Sequence, residues 1–536
     1  MVEPIPQKTS ERALERVERI LGRALAHASG RDIDDQQVGV ARLADLATRA
    51  QAARDLLARS AEAGESEREQ AAVFAGQVAA DAEQLVRDHG PEHGLADEPA
   101  DTALLAHVRE ALREDRVRAL GLRAAERRGR NETPLDELLE LTRASVREFG
   151  DSEVAPHAER IHRGDLLVPE SLLEKMGALG YFGLSIPEQY GGAGMGNVAM
   201  VITTEELSRA SLAAAGSLIT RPEILAKALL AGGSEAQKQR WLPPIASGEL
   251  MVGISVTEPD VGSDVARVAC RAERATRDGV AGFEITGPKA WCTFAGRADI
   301  LAVLCRTDPD PAKAARGLSL FIVPKERALG HAFECLQPGG GRLVGKADAT
   351  PGYRGMHSFT LAFERWFVPA DHVIGEEAGL GRGFYLQMGG FAAGRLQTAA
   401  RATGLAQAAL ERTAEYVSDR RQFGRPLIDF QLTQYRLGWM ATRVAAARAV
   451  THAAAEAMDQ DERAAAPRAA QAKLLACRIA VSVTQEGQLL HGGWGYAEEY
   501  PISRYVVDAQ VLPIFEGVEP ILQLKVVGRS LLPERP

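Results

Sequence analysis

Apolar residues recur at helical spacing through the first 130 residues of the chain. Leu14, Val17, Leu21 and Leu25 show the pattern within a segment rich in Ala, Leu, Arg and Glu. Four helices fit this spacing, with glycine-containing breaks between them, of which residues 89–94 form the clearest loop. The pattern therefore predicts an N-terminal helical domain at residues 1–130.

A polar linker without periodicity follows at residues 127–134. Thr133, Pro134 and Glu137 form a helix-start signal, so a second helical domain is predicted at residues 131–248.

The pattern then changes to short apolar runs bounded by turn residues, which predict strands at residues 251–256, 300–304 and 318–323. These runs place a β domain at residues 249–378. Long Ala-rich segments such as 397–418 and 432–458 predict a C-terminal helical bundle at residues 379–536. The predicted fold class is mainly α with a central β domain.

Composition and charge argue against several classes of protein. The 536 residues carry a net charge of -9, which gives no general attraction to nucleic acid. No apolar stretch reaches the roughly 18 residues of a membrane span, and the polar start of the chain does not resemble a signal peptide, so a cytoplasmic location and no membrane partner are expected. The five cysteines form no CxxC pair and no cluster with His, so buried thiols and no metal site are predicted.

Two segments of the β domain carry candidate binding groups. Residues 256–264 form a turn in which backbone amides and the hydroxyls of Thr257 and Ser263 could face an anionic or carbonyl ligand, although taken alone the segment favours an ordinary capped turn. In residues 285–293, Trp291 and Thr293 are two apart on a strand and should share a face. An aromatic plane beside a hydroxyl suits a flat heterocycle, and the alternative is a core Trp.

Two further segments lie in the C-terminal helices. At residues 418–426 a helix ends at a turn with Arg420, Arg421 and Arg425, which suits phosphate binding or a solvated helix end. In residues 490–496 the consecutive Gly492 and Gly493 allow close approach of the backbone to a ligand.

The fifth segment contains an acidic residue, Glu516, between an apolar run and Gly517. A carboxylate held in apolar surroundings has a raised pKa and becomes a candidate general base, whereas the simpler alternative is an exposed loop residue.

Taken together and in this order, the five segments resemble the acyl-CoA dehydrogenase family. The resemblance spans residues 134–532, includes residues 183–192 and 352–356, and does not cover the first 130 residues. It implies a helical domain, a central β-barrel domain and a C-terminal four-helix bundle, to which this chain adds the extra N-terminal helical domain.

The resemblance implies FAD as the cofactor. Thr257 would bond the edge of the flavin ring, Trp291 would lie against the flavin, and Thr293 would reach its hydride-accepting nitrogen. Ser263 would contact the pyrophosphate or the pantetheine arm of an acyl-CoA substrate. Four residues are expected to reach the FAD of a neighbouring subunit: Arg420, Phe423, Gly492 and Gly493. This expectation implies a homodimer or homotetramer.

The resemblance also assigns the chemistry. Glu516 would remove the α-proton of the acyl thioester while the β-hydrogen passes as hydride to the flavin, leaving a trans enoyl-CoA. Gly517 and Arg395 would contact the substrate, and an electron-transferring flavoprotein would accept the electrons. The chain has Phe515 and Val518 where the family usually has Tyr and Thr, so a hydroxyl thought to assist FAD binding is absent.

A narrower resemblance is to the methylsuccinyl-CoA dehydrogenase subgroup, which shares an extra N-terminal helical domain and segments close to residues 205–209, 216–221 and 499–504. Its substrate carries a free carboxylate, and a buried carboxylate needs a cation. Arg221 is the predicted cation, and a surface or helix-end arginine is the alternative.

The sequence is also compatible with other functions. They are dehydrogenation of another short or branched acyl-CoA, a flavin oxidase or monooxygenase on the same fold, and a non-catalytic scaffold. Glu516 argues against the monooxygenase, because such relatives often lack this residue. The N-terminal extension contains no chemical constellation and is interpreted as a packing or assembly module.

Overall fold

The computed structural model describes residues 4–131 and 133–532. Glu132 in the predicted linker, together with residues 1–3 and 533–536 at the outer ends of the first and last predicted domains, lies outside the described residues. The chain divides into two compact units. One combines the chain up to Ala144 with the chain from Thr398 onward, and the other is Ser145–Gln397. The four predicted domain boundaries stay predictions.

The predicted fold class is confirmed: helices precede and follow a central set of strands. Among the described residues, none of the helices combines the length and apolar character that a membrane crossing requires. The five cysteines are buried free thiols, as predicted.

Within residues 4–131 the N-terminal segment contains five α-helices, not the four that the spacing predicted. The additional break lies at Leu112 and Arg113, where no Gly or Pro marks it. The five helices are α1 (Gln7–Ala28), α2 (Gln37–Ser60), α3 (Glu65–His89), α4 (Thr102–Ala111) and α5 (Glu114–Glu126).

The C-terminal helices form the rest of the first unit. The longer ones are α12 (Gly383–Asp419), whose first residues belong to the second unit, α13 (Gln431–Gln460), α14 (Ala466–Leu490) and α15 (Ile502–Ala509), and residues 519–531 form further helical turns. Both long predicted helical segments therefore lie within α12 and α13.

Two glycines allow the N-terminal segment to pack closely on the C-terminal helices. A Cβ at Gly121 in α5 would lie 1.8 Å from the carbonyl oxygen of Gln434, and a Cβ at Gly438 in α13 would lie 2.0 Å from that of Val117. Any side chain at either position would clash with backbone. The extension is thus an integral part of this unit.

Helices α6 to α11 connect the extension to the strands. They are α6 (Glu137–Phe149), α7 (Ala155–Gly164), α8 (Glu170–Ala178), α9 (Gly196–Ala210), α10 (Thr220–Gly232) and α11 (Glu235–Ala246). The side chain of Asp136 accepts a hydrogen bond of 2.9 Å from the amide of Leu139, so α6 begins after Asp136 instead of at the predicted Pro134.

The second unit contains one eight-stranded sheet, with strand order β1-β4-β2-β3-β8-β7-β6 and β5 paired with β4. The strands are β1 (Val252–Ser255), β2 (Arg271–Arg277), β3 (Val280–Thr293), β4 (Ile300–Arg306), β5 (Leu318–Pro324), β6 (Ala332–Leu336), β7 (Arg342–Ala347) and β8 (Ser358–Pro369). A separate two-stranded hairpin joins β9 (Arg421–Gln422) to β10 (Arg425–Pro426). The three predicted strands correspond to β1, β4 and β5.

The central strands are apolar throughout because both faces of the sheet are buried. Ile300, Ala302 and Leu304 of β4 belong to a core shared with α10 and α11. The alternate residues Leu301 and Val303 belong to a second core, lined by side chains from β2 to β8. The sheet curls around this second core and thereby fixes the strand ends that carry two of the predicted binding motifs.

Candidate active site

Glu516 lies in the segment that follows α15, and its side chain is only 8% exposed. Arg401 Nη2 donates a hydrogen bond of 2.8 Å to Glu516 Oε1, and Thr398 Oγ1 donates to Glu516 Oε2. The expectation of apolar surroundings is therefore wrong, because a buried guanidinium pairs with the carboxylate. A neighbouring cation favours the ionised form of a carboxylate, which is the form that a general base needs.

The backbone at Glu516 is in the left-handed region, with φ of +55°. This conformation is unfavourable for a residue with a Cβ and persists only where the surroundings enforce it. Lys473 Nζ donates a hydrogen bond of 2.6 Å to the carbonyl oxygen of Gly517, which itself has φ of +101°. The segment is thus held at the residue that follows Glu516.

Arg401 and Thr398 were not predicted as site residues. They lie three apart on α12, on the same helix face, and Arg401 Nη2 also donates a hydrogen bond of 2.7 Å to Thr398 Oγ1. The guanidinium lies 4.7 Å from the ring centre of Phe515 and is completely buried. The available sequence signal was an arginine within an otherwise Ala-rich helical segment.

Cys477 on α14 lies among the charges of this site, with Lys473, Arg401 and Glu516 close enough to affect it. Burial raises the pKa of its thiol to about 12. Cys477 is therefore a protonated packing residue and does not compete with Glu516 as a base.

In the second unit, the structure brings Thr257 and Trp291 together. The amide of Ala290 donates a hydrogen bond of 2.8 Å to the carbonyl oxygen of Thr257, which joins the two predicted motifs. The indole of Trp291 is 60% exposed, whereas Thr293 is buried and hydrogen-bonded to Ser358 at 3.0 Å.

Trp291 is exposed and Thr293 is buried, so the prediction that they share a strand face is wrong. A β-bulge lies between Lys289 and Cys292, and Trp291 has φ of +57°, so the simple alternation of a strand is interrupted. The bulge turns the indole outward, where it is available to a flat ligand.

A buried ion pair stabilises the positions of Thr257 and Trp291. Lys289 Nζ donates hydrogen bonds of 2.9 Å to Glu258 Oε1 and 3.0 Å to the carbonyl oxygen of Val256. Glu258 also accepts hydrogen bonds of 2.8 Å from the amides of Ala269 and Cys270. Both residues stand inside the predicted motifs, but neither was assigned a role. They tie the turn that carries Thr257 to the strand that carries Trp291.

The hydroxyls of Thr257 and Ser263 fit a bound cofactor. Neither hydroxyl has a hydrogen-bond partner within residues 4–131 and 133–532, and Ser263 is exposed. Together with the outward-facing indole of Trp291, they present two hydrogen-bonding hydroxyls and an aromatic plane, which is compatible with a planar ligand that carries polar groups.

The remaining predicted cofactor residues lie in the first unit and are exposed. Phe423 is 92% exposed with φ of +51°, and Arg420 and the Gly492–Gly493 pair are exposed as well. The ring of Tyr416 stacks on His491 at 4.2 Å and its hydroxyl donates to the carbonyl oxygen of His491. This contact brings the end of α12 next to the glycine loop, so the two motifs are neighbours.

Arg221 is 5% exposed, which excludes a surface arginine, but it is the second residue of α10 and so does lie at a helix end, as the other part of the alternative had it. Its Nη1 donates hydrogen bonds of 3.0 Å to the carbonyl oxygen of Ser217 and 3.2 Å to the hydroxyl of Tyr353. Within the described part of the chain it has no carboxylate partner. Arg395, the other predicted substrate-binding arginine, is half-buried on α12.

A group of possible metal ligands lies outside these motifs. Asp165, His331 and His357 place their ligand atoms within 4.8 Å of one another. The carboxylate of Asp165 already lies 3.1 Å from His357 Nε2 and 3.7 Å from Arg354 Nε, so a cation there would compete with a guanidinium. Burial lowers the pKa of His357. The sequence could not indicate this group because its members are far apart in the chain.

Three family models match the chain. They describe the N-terminal domain of acyl-CoA dehydrogenase at residues 136–249, its middle domain at 253–366 and its C-terminal domain at 381–532.

Similar proteins agree with these matches. The chain is 40% identical to a (2S)-methylsuccinyl-CoA dehydrogenase of Cereibacter sphaeroides, over 74% of this chain and 70% of that protein. It resembles a solved chain described with the electron transferring flavoprotein of Acidaminococcus fermentans, with a TM-score of 0.68 and 29% identity over 75% of this chain and 100% of that one. A glutaryl-CoA dehydrogenase from Mycobacterium smegmatis in complex with FADH2 has a TM-score of 0.65 and 26% identity, over 74% and 95% of the two chains.

Proposed function

The chain belongs to the acyl-CoA dehydrogenase family, and from this premise we propose that it converts (2S)-methylsuccinyl-CoA to mesaconyl-CoA with FAD as cofactor and Glu516 as the base. The observation that carries the proposal is the buried carboxylate of Glu516, hydrogen-bonded at both oxygens by Arg401 and Thr398. Dehydrogenation of an acyl-CoA is the activity of the family.

The proposed reaction begins with loss of a proton from the carbon next to the thioester. That proton is acidic enough to remove only when hydrogen bonds polarise the thioester carbonyl. Glu516 accepts it as a carboxylate whose Oε1 lies 2.8 Å from the buried guanidinium of Arg401. The left-handed backbone at Glu516 supports a functional role, because such strain concentrates at active sites.

FAD is the cofactor that these residues fit. Thr257 and Trp291 would hold the flavin ring, with Thr293 beside it, and Ser263 would reach the pyrophosphate or the pantetheine arm of the substrate. When bound, FAD supplies the electron sink that accepts the β-hydrogen as hydride, which no protein side chain can do.

Arg221 is proposed to select the dicarboxylic acyl group. A buried guanidinium with only a backbone carbonyl and a phenol as hydrogen-bond acceptors retains capacity for a carboxylate. The similarity to a protein named for methylsuccinyl-CoA supports this assignment. Arg395 and Gly517 are proposed to contact the rest of the substrate.

A second copy of the chain and an electron-transferring flavoprotein are the proposed partners. Phe423 is 92% exposed with arginines on either side in the sequence, and the FAD of a neighbouring subunit in a homodimer or homotetramer would cover this ring. The similarity to a chain described with an electron transferring flavoprotein supports that acceptor.

The test is an anaerobic titration of the purified yellow protein with (2S)-methylsuccinyl-CoA, butyryl-CoA and isobutyryl-CoA, followed by loss of oxidised flavin absorbance. Bleaching by methylsuccinyl-CoA alone is expected. Bleaching only by a monocarboxylic acyl-CoA would discard the proposed substrate and keep the family activity.

The variant Arg221→Ala separates the substrate assignment from the chemistry. We expect it to lose its preference for methylsuccinyl-CoA while any turnover of butyryl-CoA is kept, because the guanidinium acts only on the distal carboxylate. Unchanged selectivity would remove Arg221 from the proposal. Rapid reoxidation of the reduced flavin by air would indicate an oxidase, and a colourless protein that binds no flavin would indicate a scaffold.

A further inference from the structure

The N-terminal extension contacts the segment that carries Glu516 through an ion-pair chain. Arg478 on α14 donates from Nη1 to Asp45 Oδ2 at 3.0 Å and from Nη2 to Glu519 Oε1 at 2.7 Å. Asp45 belongs to α2 of the extension, and Glu519 lies three residues after Glu516. One guanidinium thus joins the extension to the base-bearing segment.

The same aspartate makes a second contact just beyond this point. Gln523 Nε2 donates a hydrogen bond of 2.7 Å to Asp45 Oδ1, so both carboxylate oxygens of Asp45 are directed at residues that hold or follow the segment. These groups are about one third exposed, so their free-energy contribution is small, about 0–1 kcal/mol per pair. Their effect is on geometry.

An apolar contact runs parallel to the polar one. Ala44, the neighbour of Asp45 on α2, shares a buried cluster with Leu474 of α14 and with Leu522 and Val527 of the C-terminal segment. Leu522 packs so closely on Gly517 that a Cβ there would lie 2.8 Å from its Cδ2. The extension therefore reaches the residue next to Glu516 through one apolar side chain.

We propose that α2 of the N-terminal extension positions the catalytic segment, with Asp45 as a positioning residue that acts through Arg478 and Glu519. This inference rests on the proposed role of Glu516 as the base. The left-handed conformation of Glu516 needs neighbours that enforce it, and Asp45 and Ala44 hold the segment from the side of the extension. The extension then takes part in catalysis without touching substrate, in addition to its packing role.

The chain offers a matched control. Asp55 lies on the same helix α2 and pairs with Arg468 of the same helix α14 at 2.8 Å, but neither residue contacts the segment after Glu516 in the described structure. Asp45→Asn and Asp55→Asn thus remove the same kind of ion pair between the same two helices. If these substitutions only weakened the packing of α2 on α14, both variants would be affected alike.

The experiment compares the two variants and the wild type as FAD-loaded full-length proteins. The first readout is exchange of the α-proton with D2O in an acyl-CoA analogue with sulfur at the β-position, which can lose the α-proton but not a hydride. The second is the rate of flavin reduction by substrate.

We expect Asp45→Asn to slow both rates about tenfold with KM unchanged, since misplacement of a catalytic group by about 1 Å can cost up to about 100-fold. Asp55→Asn should match the wild type, and Asp45→Glu should recover most of the rate. Arg478→Gln should slow the rates like Asp45→Asn, and the double variant should be no slower than either single variant.

Equal exchange rates in Asp45→Asn and Asp55→Asn would overturn the inference. Failure of the proposed function has a different signature. In that case Glu516→Gln retains the exchange, or the wild type shows none.

Discussion

The base-bearing region, around the proposed base Glu516, and the exposed region proposed to bind the cofactor, with Trp291 and Phe423, are built in opposite ways. Glu516 is buried, and both of its carboxylate oxygens accept hydrogen bonds from the chain itself. Trp291 and Phe423 are exposed, and no comparable partner encloses them within residues 4–131 and 133–532. A carboxylate that accepts a proton must be positioned and ionised before the substrate binds. A surface that binds a planar ligand becomes buried only once that ligand is bound.

The two regions nevertheless share one feature. Glu516, Trp291 and Phe423 all have φ between +51° and +57°, which is uncommon for residues with a side chain. Next to Glu516, Lys473 donates a hydrogen bond to the carbonyl oxygen of Gly517, and near Trp291 the Lys289–Glu258 pair joins the neighbouring turn and strand. Both regions therefore contain strained backbone. They differ in what contacts the side chain: groups of the chain itself at Glu516, and solvent at Trp291 and Phe423.

The largest effect is expected at the base. Glu516→Gln keeps the size and one hydrogen-bond acceptor of the side chain but removes its capacity to accept a proton. We expect flavin reduction by substrate to slow by about 10²–10⁴-fold, the usual contribution of a general base. Stopped-flow absorbance under anaerobic conditions measures it.

The control for this variant is its cofactor content. Because Glu516 belongs to the base-bearing region, the FAD absorbance of Glu516→Gln should equal that of the wild type. A colourless variant would show that the two regions are not separable in this way.

A large effect on stability is expected at Arg401. Arg401→Gln leaves the buried carboxylate of Glu516 without its cation, and breaking a buried pair from one side costs about 3–5 kcal/mol. Urea unfolding followed by circular dichroism measures this loss. Arg401→Lys should recover part of it, because it restores a positive charge without the planar guanidinium. A loss below that of an ordinary surface substitution would show that the pair does not stabilise the fold.

A smaller effect is expected at Thr398. Thr398→Val keeps the shape of the side chain but removes its hydrogen bond to Glu516 and the acceptor that it offers to Arg401, which costs about 1–3 kcal/mol while the charged partners stay buried. The same urea experiment measures it. If Thr398→Val were as damaging as Arg401→Gln, the hydroxyl and not the cation would be the main support of the base.

The order of the fold was predictable because periodicity is a local property of the sequence. The strands at residues 300–306 and 318–324 and helices α12 and α13 lie where the apolar pattern places them. The fifth N-terminal helix was missed because the break at Leu112 and Arg113 contains neither Gly nor Pro.

The site was predictable only in part, because its support comes from distant residues. The motif around Glu516 is visible in the sequence, but its partner Arg401 stands 115 residues earlier, and no local pattern joins them. The position of Trp291 depends on a β-bulge, which alternation rules cannot anticipate.

The smallest effect on stability is expected in the exposed region. Phe423→Ala removes a ring that is 92% exposed and packs on the protein only edge-to-face with Phe430, at 6.2 Å between ring centres. Substitutions of this kind change the free energy of unfolding by about 0.5 kcal/mol or less.

If the ring instead serves FAD and a second subunit, Phe423→Ala should weaken FAD retention during dilution and lower the oligomer mass in light scattering. The fluorescence of released flavin measures the first effect. Unfolding by urea in the cofactor-free protein separates the two contributions, because there the variant and the wild type should coincide. A variant that lost stability without FAD yet held FAD and its partner normally would mean that Phe423 supports its own unit, and the contrast between the two regions would not extend to this residue.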